Sequence, residues 1–282
     1  MNKSTNIALI GPLADNQRNM LGTWSVSGDY TKSITVRQGM ESQLGEGGSI
    51  RYAKGANISD DPEFAKRVNV FGEEIVIDKR TPEEMIAEAV AIAEKADVIV
   101  AVMGEAADMS GESSSMAYIG LQPSQMRLLK ALKETDKPIA LVLFNGRPMT
   151  LPWEDENMDS ILDVWHPGTE AGNAVADLLF GEVNPSGKLT ASFPIAVGQI
   201  PVYHSMLNTG RPYEGSGNPK FKSNYLDIPN EPLYPFGYGL SYTQFEYGEP
   251  TLSGKQMSQN DSITLSITVK NSGYHSGAEI VQ

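Results

Sequence analysis

Three carboxylates, Glu105, Asp108 and Glu112, share one polar loop that leaves the apolar run Val98 to Met103 and regains order at Leu121-Gln122-Pro123. Most loop carboxylates are solvated surface charges. Two features set Glu112 apart. The loop leaves a strand of the kind whose carboxyl end carries ligands in α/β sheets. Glu112 also sits in Ser110-Gly111-Glu112-Ser113-Ser114-Ser115, where small residues let a ligand approach and hydroxyls can fix a carboxylate. A carboxylic acid there can give a proton to a leaving oxygen, provided burial raises its pKa.

Other chemistry has less support. His166, His204 and His275 are far apart, with no H-E-x-x-H and no histidine–carboxylate cluster. His166 follows a strand and could line a site, but with no partner in view it reads as a structural histidine. The turns at Gly11-Pro12 and Gly104 give neither G-x-G-x-x-G nor a P-loop, so nucleotide binding is disfavoured. Ser110 to Ser115 offers hydroxyls, but G-x-S-x-G is absent.

The elements that must position these residues alternate. Strands are predicted at Ile7 to Ile10, Ser49 to Ala53, Asp97 to Met103, Ile139 to Phe144 and Ile161 to Trp165. Helices are predicted at Ser33 to Leu44, from Thr81, from Ser124, and at Thr169 to Phe180. Thr81-Pro82-Glu83-Glu84 is a capping box with proline at the first helical position. Met85, Ile86, Ala89, Val90 and Ala93 then fall on one face. Residues 55 to 79 show no clear period and read as an insertion. The pattern predicts an α/β fold: an open, mostly parallel sheet sandwiched by helices, with right-handed crossovers. Five strands in some 180 residues are too few for a (β/α)₈ barrel.

After Asn184 the texture changes. From about residue 190 a long excursion rich in Pro, Gly, Tyr and Asn begins, and its aromatic residues predict an ordered, packed segment. Between Ser262 and Val269, Ile263, Leu265, Ile267 and Val269 alternate with polar residues, as in a half-buried antiparallel strand. Ala278 to Val281 is predicted to begin the next strand, so a β-sandwich starts here.

The chain has 282 residues, 40% of them hydrophobic and 20% charged, within the globular range. A net charge of −13 argues against nucleic acid and anionic membrane as partners. The absence of cysteine excludes disulfides and thiol catalysis. No apolar run reaches the length of a membrane span. The polar start carries no signal peptide, and the abrupt ends predict a fragment of a longer protein. Neither a metal nor a cofactor is expected.

Several collinear stretches carry a resemblance: Val102 to Glu105 with Gly111 to Ser115, Leu143 to Pro148, Pro167 to Ala174, Phe180 to Leu189, Gln199 to Tyr203, Leu207 to Pro212, and Tyr234 to Thr243. On these the chain resembles the C-terminal part of family 3 glycoside hydrolases, bacterial periplasmic β-glucosidases among them, over nearly its whole length.

The resemblance implies an α/β sandwich domain over residues 1–242 and the first strands of a fibronectin type III-like module over 243–282. It implies a missing N-terminal TIM-barrel domain that carries the nucleophilic Asp. It places the general acid/base of a retaining β-glycosidase at Glu112. The substrate implied is a β-glucoside or oligosaccharide, and the location periplasmic or secreted. Trp24 lies where some relatives place an aromatic near the substrate, and a domain-interface role is its alternative. One departure is Met116, where relatives often carry Arg four residues after the acid/base. The isolated chain is expected to be inactive. Were it active, Asp108, Glu105 and Glu170 would be the carboxylates to test. The competing reading is a non-catalytic carbohydrate-binding or domain-packing module. The Asn145-Gly146-Arg147-Pro148 and Pro167-Gly168-Thr169 stretches read as structural turns, and Tyr234 to Tyr242 as packing between domains.

Overall fold

The computed structural model describes residues 1–207, 210–213, 215 and 220–282. Within the Leu207 to Pro212 stretch, Asn208 and Thr209 lie outside the described residues. The centre is a five-stranded sheet of β1 (Asn6–Ile10), β2 (Ser49–Ala53), β3 (Val98–Gly104), β4 (Ile139–Phe144) and β5 (Ser160–Asp163), in the order β2-β1-β3-β4-β5. Every pairing is parallel. β3 lies between β1 and β4 and is buried from Ile99 to Gly104, as an apolar strand covered on both faces must be.

Alternation along the strands divides the core in two. Leu9, Val100, Val102, Val142 and Phe144 face one layer, with α1 (Val36–Gln43), α2 (Pro62–Val68) and α6 (Ala171–Phe180). Ala8, Ile10, Ile99, Ala101, Met103, Leu141 and Leu143 face the other, with α3 (Pro82–Ala93) and α4 (Pro123–Lys133). The capping box forms as read: Thr81 Oγ1 accepts from the Glu84 N–H at 3.2 Å, and Glu84 Oε2 from the Thr81 N–H at 2.8 Å.

Some readings need correction. Residues 55 to 79 are not wholly irregular. Asp61 caps α2 by accepting from the Glu63 and Phe64 N–H groups at 2.9 and 3.2 Å, and this short helix lacks the length to display a period. A second short helix, α5 (Pro152–Asn157), begins at a proline after Leu151. The fifth strand stops at Asp163, and Trp165 takes a positive φ of 52°.

The C-terminal segment departs further. It holds two small antiparallel pairs. β6 (Phe245–Tyr247) lies against β9 (Val269–Asn271), and β7 (Thr251–Leu252) against β8 (Leu265–Ser266). The alternating run is broken between Ser266 and Val269, and its apolar side chains are not half-buried: Leu265 is 64% exposed. No second sheet covers that face among the described residues. Residues 278–281 form no strand. Of the aromatics after residue 190, Phe193 is buried, with Trp165 and Tyr234 edge-on to it, and Tyr234 stacks on Tyr238. Tyr203, Phe221 and Tyr242 are exposed, so among the described residues the aromatic packing of the excursion centres on Phe193 but leaves several rings in solvent.

The chain leaves β1 for β2 on one side and then crosses to β3 on the other, so the strand order reverses between β1 and β3. Ligands of open α/β sheets bind outside the carboxyl ends of the strands at such a switch point. The loops that leave β1 and β3 carry Trp24 and Glu112 respectively. At the end of β3, Gly104 has φ 137°, and a Cβ on it would stand 1.8 Å from the Phe144 carbonyl oxygen, so only glycine lets the chain turn there. The buried Gln125 side chain of α4 fixes that turn. Its Oε1 accepts from the Gly104 N–H at 2.7 Å, and its Nε2 donates to the Gly104 carbonyl at 2.8 Å.

Candidate active site

The loop after β3 is anchored at its root. Glu105 is buried, and its Oε1 pairs with Arg147 Nε at 3.0 Å while its Oε2 accepts from the Gly146 N–H at 3.1 Å. Burial pushes the Glu105 carboxyl up from its ordinary value, and the Gly146 N–H and the Arg147 guanidinium act against that rise. Tied down at both oxygens, Glu105 holds the loop and is not free for substrate. Asp108 is half-buried, with one carboxyl oxygen unpartnered, and its carbonyl accepts from Ser114 Oγ at 3.0 Å.

Glu112 stands at the tip of a tight turn. The Ser114 N–H reaches the Gly111 carbonyl at 3.4 Å, Gly111 has φ 103°, and Ser113 is left-handed at φ 61°. The Glu112 side chain is exposed. Met116, in the position where Arg was expected by resemblance, packs half-buried against the core cluster that contains Val102 and Phe144. The loop beyond the turn is thus held by apolar contact at this point.

Trp24 comes from the loop after β1 and is 67% exposed. Its neighbour Thr23 lies directly against Gly111: a Cβ there would be 2.4 Å from Thr23 Cγ2 and 3.4 Å from the indole Nε1 of Trp24. The structure therefore brings Trp24 beside the turn that bears Glu112. Between the two loops lies an open cleft of about 450 Å³, walled by Thr23, Trp24, Ser110, Gly111, Gly146 and His166. An aromatic flank with a few polar groups is the composition of many small-ligand clefts.

His166 lines this cleft from a half-buried position. Its Nδ1 lies 3.3 Å from the Asn19 carbonyl, which can only accept. In the neutral ring the proton is therefore on Nδ1, and Nε2 is buried without a hydrogen-bond partner in the protein. Burial lowers the His166 pKa and favours that neutral ring, against the pull of the Asn19 carbonyl and the Asp108 charge. His204 packs on Phe236 and His275 gives its carbonyl to Asn271, so neither joins the cleft. Glu170 sits at the start of α6 and accepts from Asn173 Nδ2 at 2.6 Å.

Two groups were missed by reading the sequence. Arg147 is an anchor of the loop, although its stretch was read as a turn. The signal was available in register: Gly104 pairs with Phe144, which sets Glu105 and the residues after Phe144 side by side, where a cation offsets the burial of a charged carboxylate. Asp163, at the end of β5, is pushed up to about 6 by burial, against the pull of the Trp165 N–H and the Asn145 side chain. Among the described residues no group of three or more His, Asp or Glu could hold a metal ion. No helix there is long and apolar enough to cross a membrane.

Comparison with known proteins decides the family. The glycosyl hydrolase family 3 C-terminal domain matches residues 1–242. The chain belongs to glycosyl hydrolase family 3. A periplasmic β-glucosidase of Salmonella typhimurium is 51% identical over all of this chain, which covers 37% of that protein. A β-xylosidase of Formosa agariphila is 38% identical, again over the whole chain and 36% of its own length. The crystal structure of a Listeria innocua β-glucosidase in complex with glucose superimposes with a TM-score of 0.81 at 37% identity, over 98% of this chain and 35% of that one. This chain thus spans about a third of the length of these family 3 relatives.

Proposed function

We propose that this chain is part of a retaining β-glycosidase that removes terminal β-D-glucosyl residues from oligosaccharides, and that Glu112 is its general acid/base. The observation that carries the reading is the placement of Glu112, on an exposed turn at the switch point of the sheet and beside a cleft flanked by Trp24. Kinship with β-glucosidases supports the substrate class.

The chemistry runs in two steps. The Glu112 carboxylic acid gives its proton to the glycosidic oxygen as the bond from that oxygen to the anomeric carbon breaks and the leaving group departs as an alcohol, while a second carboxylate, outside this chain in an N-terminal barrel, bonds to the anomeric carbon. The Glu112 carboxylate then takes a proton from the water that displaces that nucleophile. The two carboxyl groups must stand about 5–5.5 Å apart for retention. Trp24 offers an aromatic face to a pyranose ring. On this reading residues 1–242 form the sandwich domain and 243–282 part of a fibronectin type III-like module. The protein works in the periplasm or outside the cell, as the Salmonella relative's name suggests.

Glu112→Gln in the full-length protein tests the role. Hydrolysis of alkyl β-glucosides should fall on the order of 10²–10⁴-fold, with a much smaller loss on 2,4-dinitrophenyl β-glucoside, whose leaving group needs no proton. Equal losses on both would remove Glu112 from the role. This chain alone, at high concentration, should not hydrolyse 4-nitrophenyl β-glucoside. Turnover abolished by Glu112→Ala would show a second catalytic carboxylate within it.

A further inference from the structure

We infer that Arg147 is the positioning residue of Glu112: with Glu105 it forms a latch that closes the acid/base turn from below. The inference rests on the acid/base reading above.

Glu112 does not fix its own place. Its side chain is exposed, and within the loop its carbonyl accepts only a long bond from Ser114 Oγ at 3.4 Å. The location of its carboxyl group is therefore set by the backbone turn from Gly111 to Ser114. Arg147 grips that turn at both ends. Its Nη2 donates to the carbonyl of Met109 before the turn and to the carbonyl of Ser114 after it, the latter at 2.9 Å. Through Nε the same planar group is bonded to Glu105 Oε1.

Glu105 is in turn part of the sheet end. Its N–H donates to the Phe144 carbonyl at 2.8 Å, and its other carboxyl oxygen is held by the Gly146 N–H. Arg147 follows Gly146 directly. The connection therefore runs from the β3–β4 ladder through Glu105 and the guanidinium to both shoulders of the turn, without a flexible joint. Three acceptors on one rigid fork suit arginine and not lysine, whose single ammonium cannot hold them all in these directions.

A residue that merely stabilises the fold would, when changed, depress all substrates alike. A residue that aims the acid should matter most where the acid matters most. Two variants test this. Arg147→Lys keeps the charge opposite Glu105 but loses the fork. Glu105→Gln with Arg147→Met removes both charges together, so that no buried carboxylate is stranded.

In this chain, hydrogen exchange of the amides of residues 110–116 should quicken roughly tenfold in either variant, with amides of β3 and β4 unchanged. In the full-length protein, kcat on alkyl β-glucosides should fall roughly tenfold or more while kcat on 2,4-dinitrophenyl β-glucoside falls by less than about threefold. Unchanged exchange in the loop, or equal losses with both leaving groups, overturns the latch. If Glu112→Gln spares alkyl glucosides, the acid/base reading fails, and the exchange experiment still decides whether Arg147 holds the turn.

Discussion

The side-chain oxygen of Asn19 accepts the Ala107 N–H at 2.8 Å, which joins the loop after β1 to the loop after β3. Asn19 is fully buried, and its amide nitrogen donates to the Glu74 carbonyl at 2.9 Å, so one side chain ties three segments at the mouth of the sheet. Asn19→Ala removes both bonds and leaves the Ala107 N–H and the Glu74 carbonyl without partners. The expected loss of stability is about 2–4 kcal/mol, from two buried groups left unsatisfied. Urea denaturation of the chain measures it, and a loss below about 0.5 kcal/mol would mean that water replaces the amide without cost.

Gly111→Ala probes the contact of the two loops. The new methyl group would enter the space of Thr23 Cγ2, and alanine would have to hold φ 103°. Both effects act on the turn that bears Glu112, for an expected cost of about 1–3 kcal/mol. Adding Thr23→Ser removes the methyl group on the other side of the contact, so part of that cost should return while the strain in φ stays. If the double variant is no more stable than the single, the steric term is absent and the strain alone accounts for the loss.

Trp24 separates folding from recognition. At 67% exposure its indole contributes little to the fold, and Trp24→Ala should shift stability by no more than about 0.5 kcal/mol. In the full-length protein the same change should raise KM for oligosaccharides roughly 3- to 10-fold if the ring stacks on a sugar. An unchanged KM together with lost association between domains would assign Trp24 to an interface instead.

The sheet was legible because its strands are buried on both faces and read as apolar runs, and because the capping box at Thr81 marks a helix start chemically. α2 and α5 were not, since one or two turns of helix display no period. The alternation from Ile263 to Val269 predicted one continuous half-buried strand, but it held no record of what would cover that face or of the break after Ser266. Within the site the difference is sharper. Glu112 looks like any exposed carboxylate; the strand before it and the small residues around it marked it as a candidate, and the resemblance of its neighbours gave it a role. His166 and Arg147 find their partners in groups distant in sequence, Asn19 for one and Glu105 with the Met109 and Ser114 carbonyls for the other. Spacing along the chain holds no record of such partners, although the parallel register of β3 and β4 could have suggested the Glu105–Arg147 pair.

Asp163 gives the fold a pH dependence with a definite sign. Its carboxyl has an ordinary value of 3.8 and is raised to about 6 by burial in the native state. The folded protein therefore binds this proton more tightly than the unfolded chain, and stability from this group falls as pH rises. Its contribution is complete below about pH 3.8, declines between there and about pH 6, and is gone above. The span corresponds to about 3 kcal/mol at 1.36 kcal/mol for each pH unit. Asp163→Asn replaces the acid with a neutral group of the same shape. The variant should match the parent near pH 3.5 and exceed it by about 1–3 kcal/mol at pH 7.5, the lower figure applying if the new amide N–H groups find no acceptor in the buried site. Chemical denaturation of both proteins across that range is the measurement. A stability difference that stays constant from pH 3.5 to 7.5 would show that Asp163 ionises alike in the folded and unfolded chain.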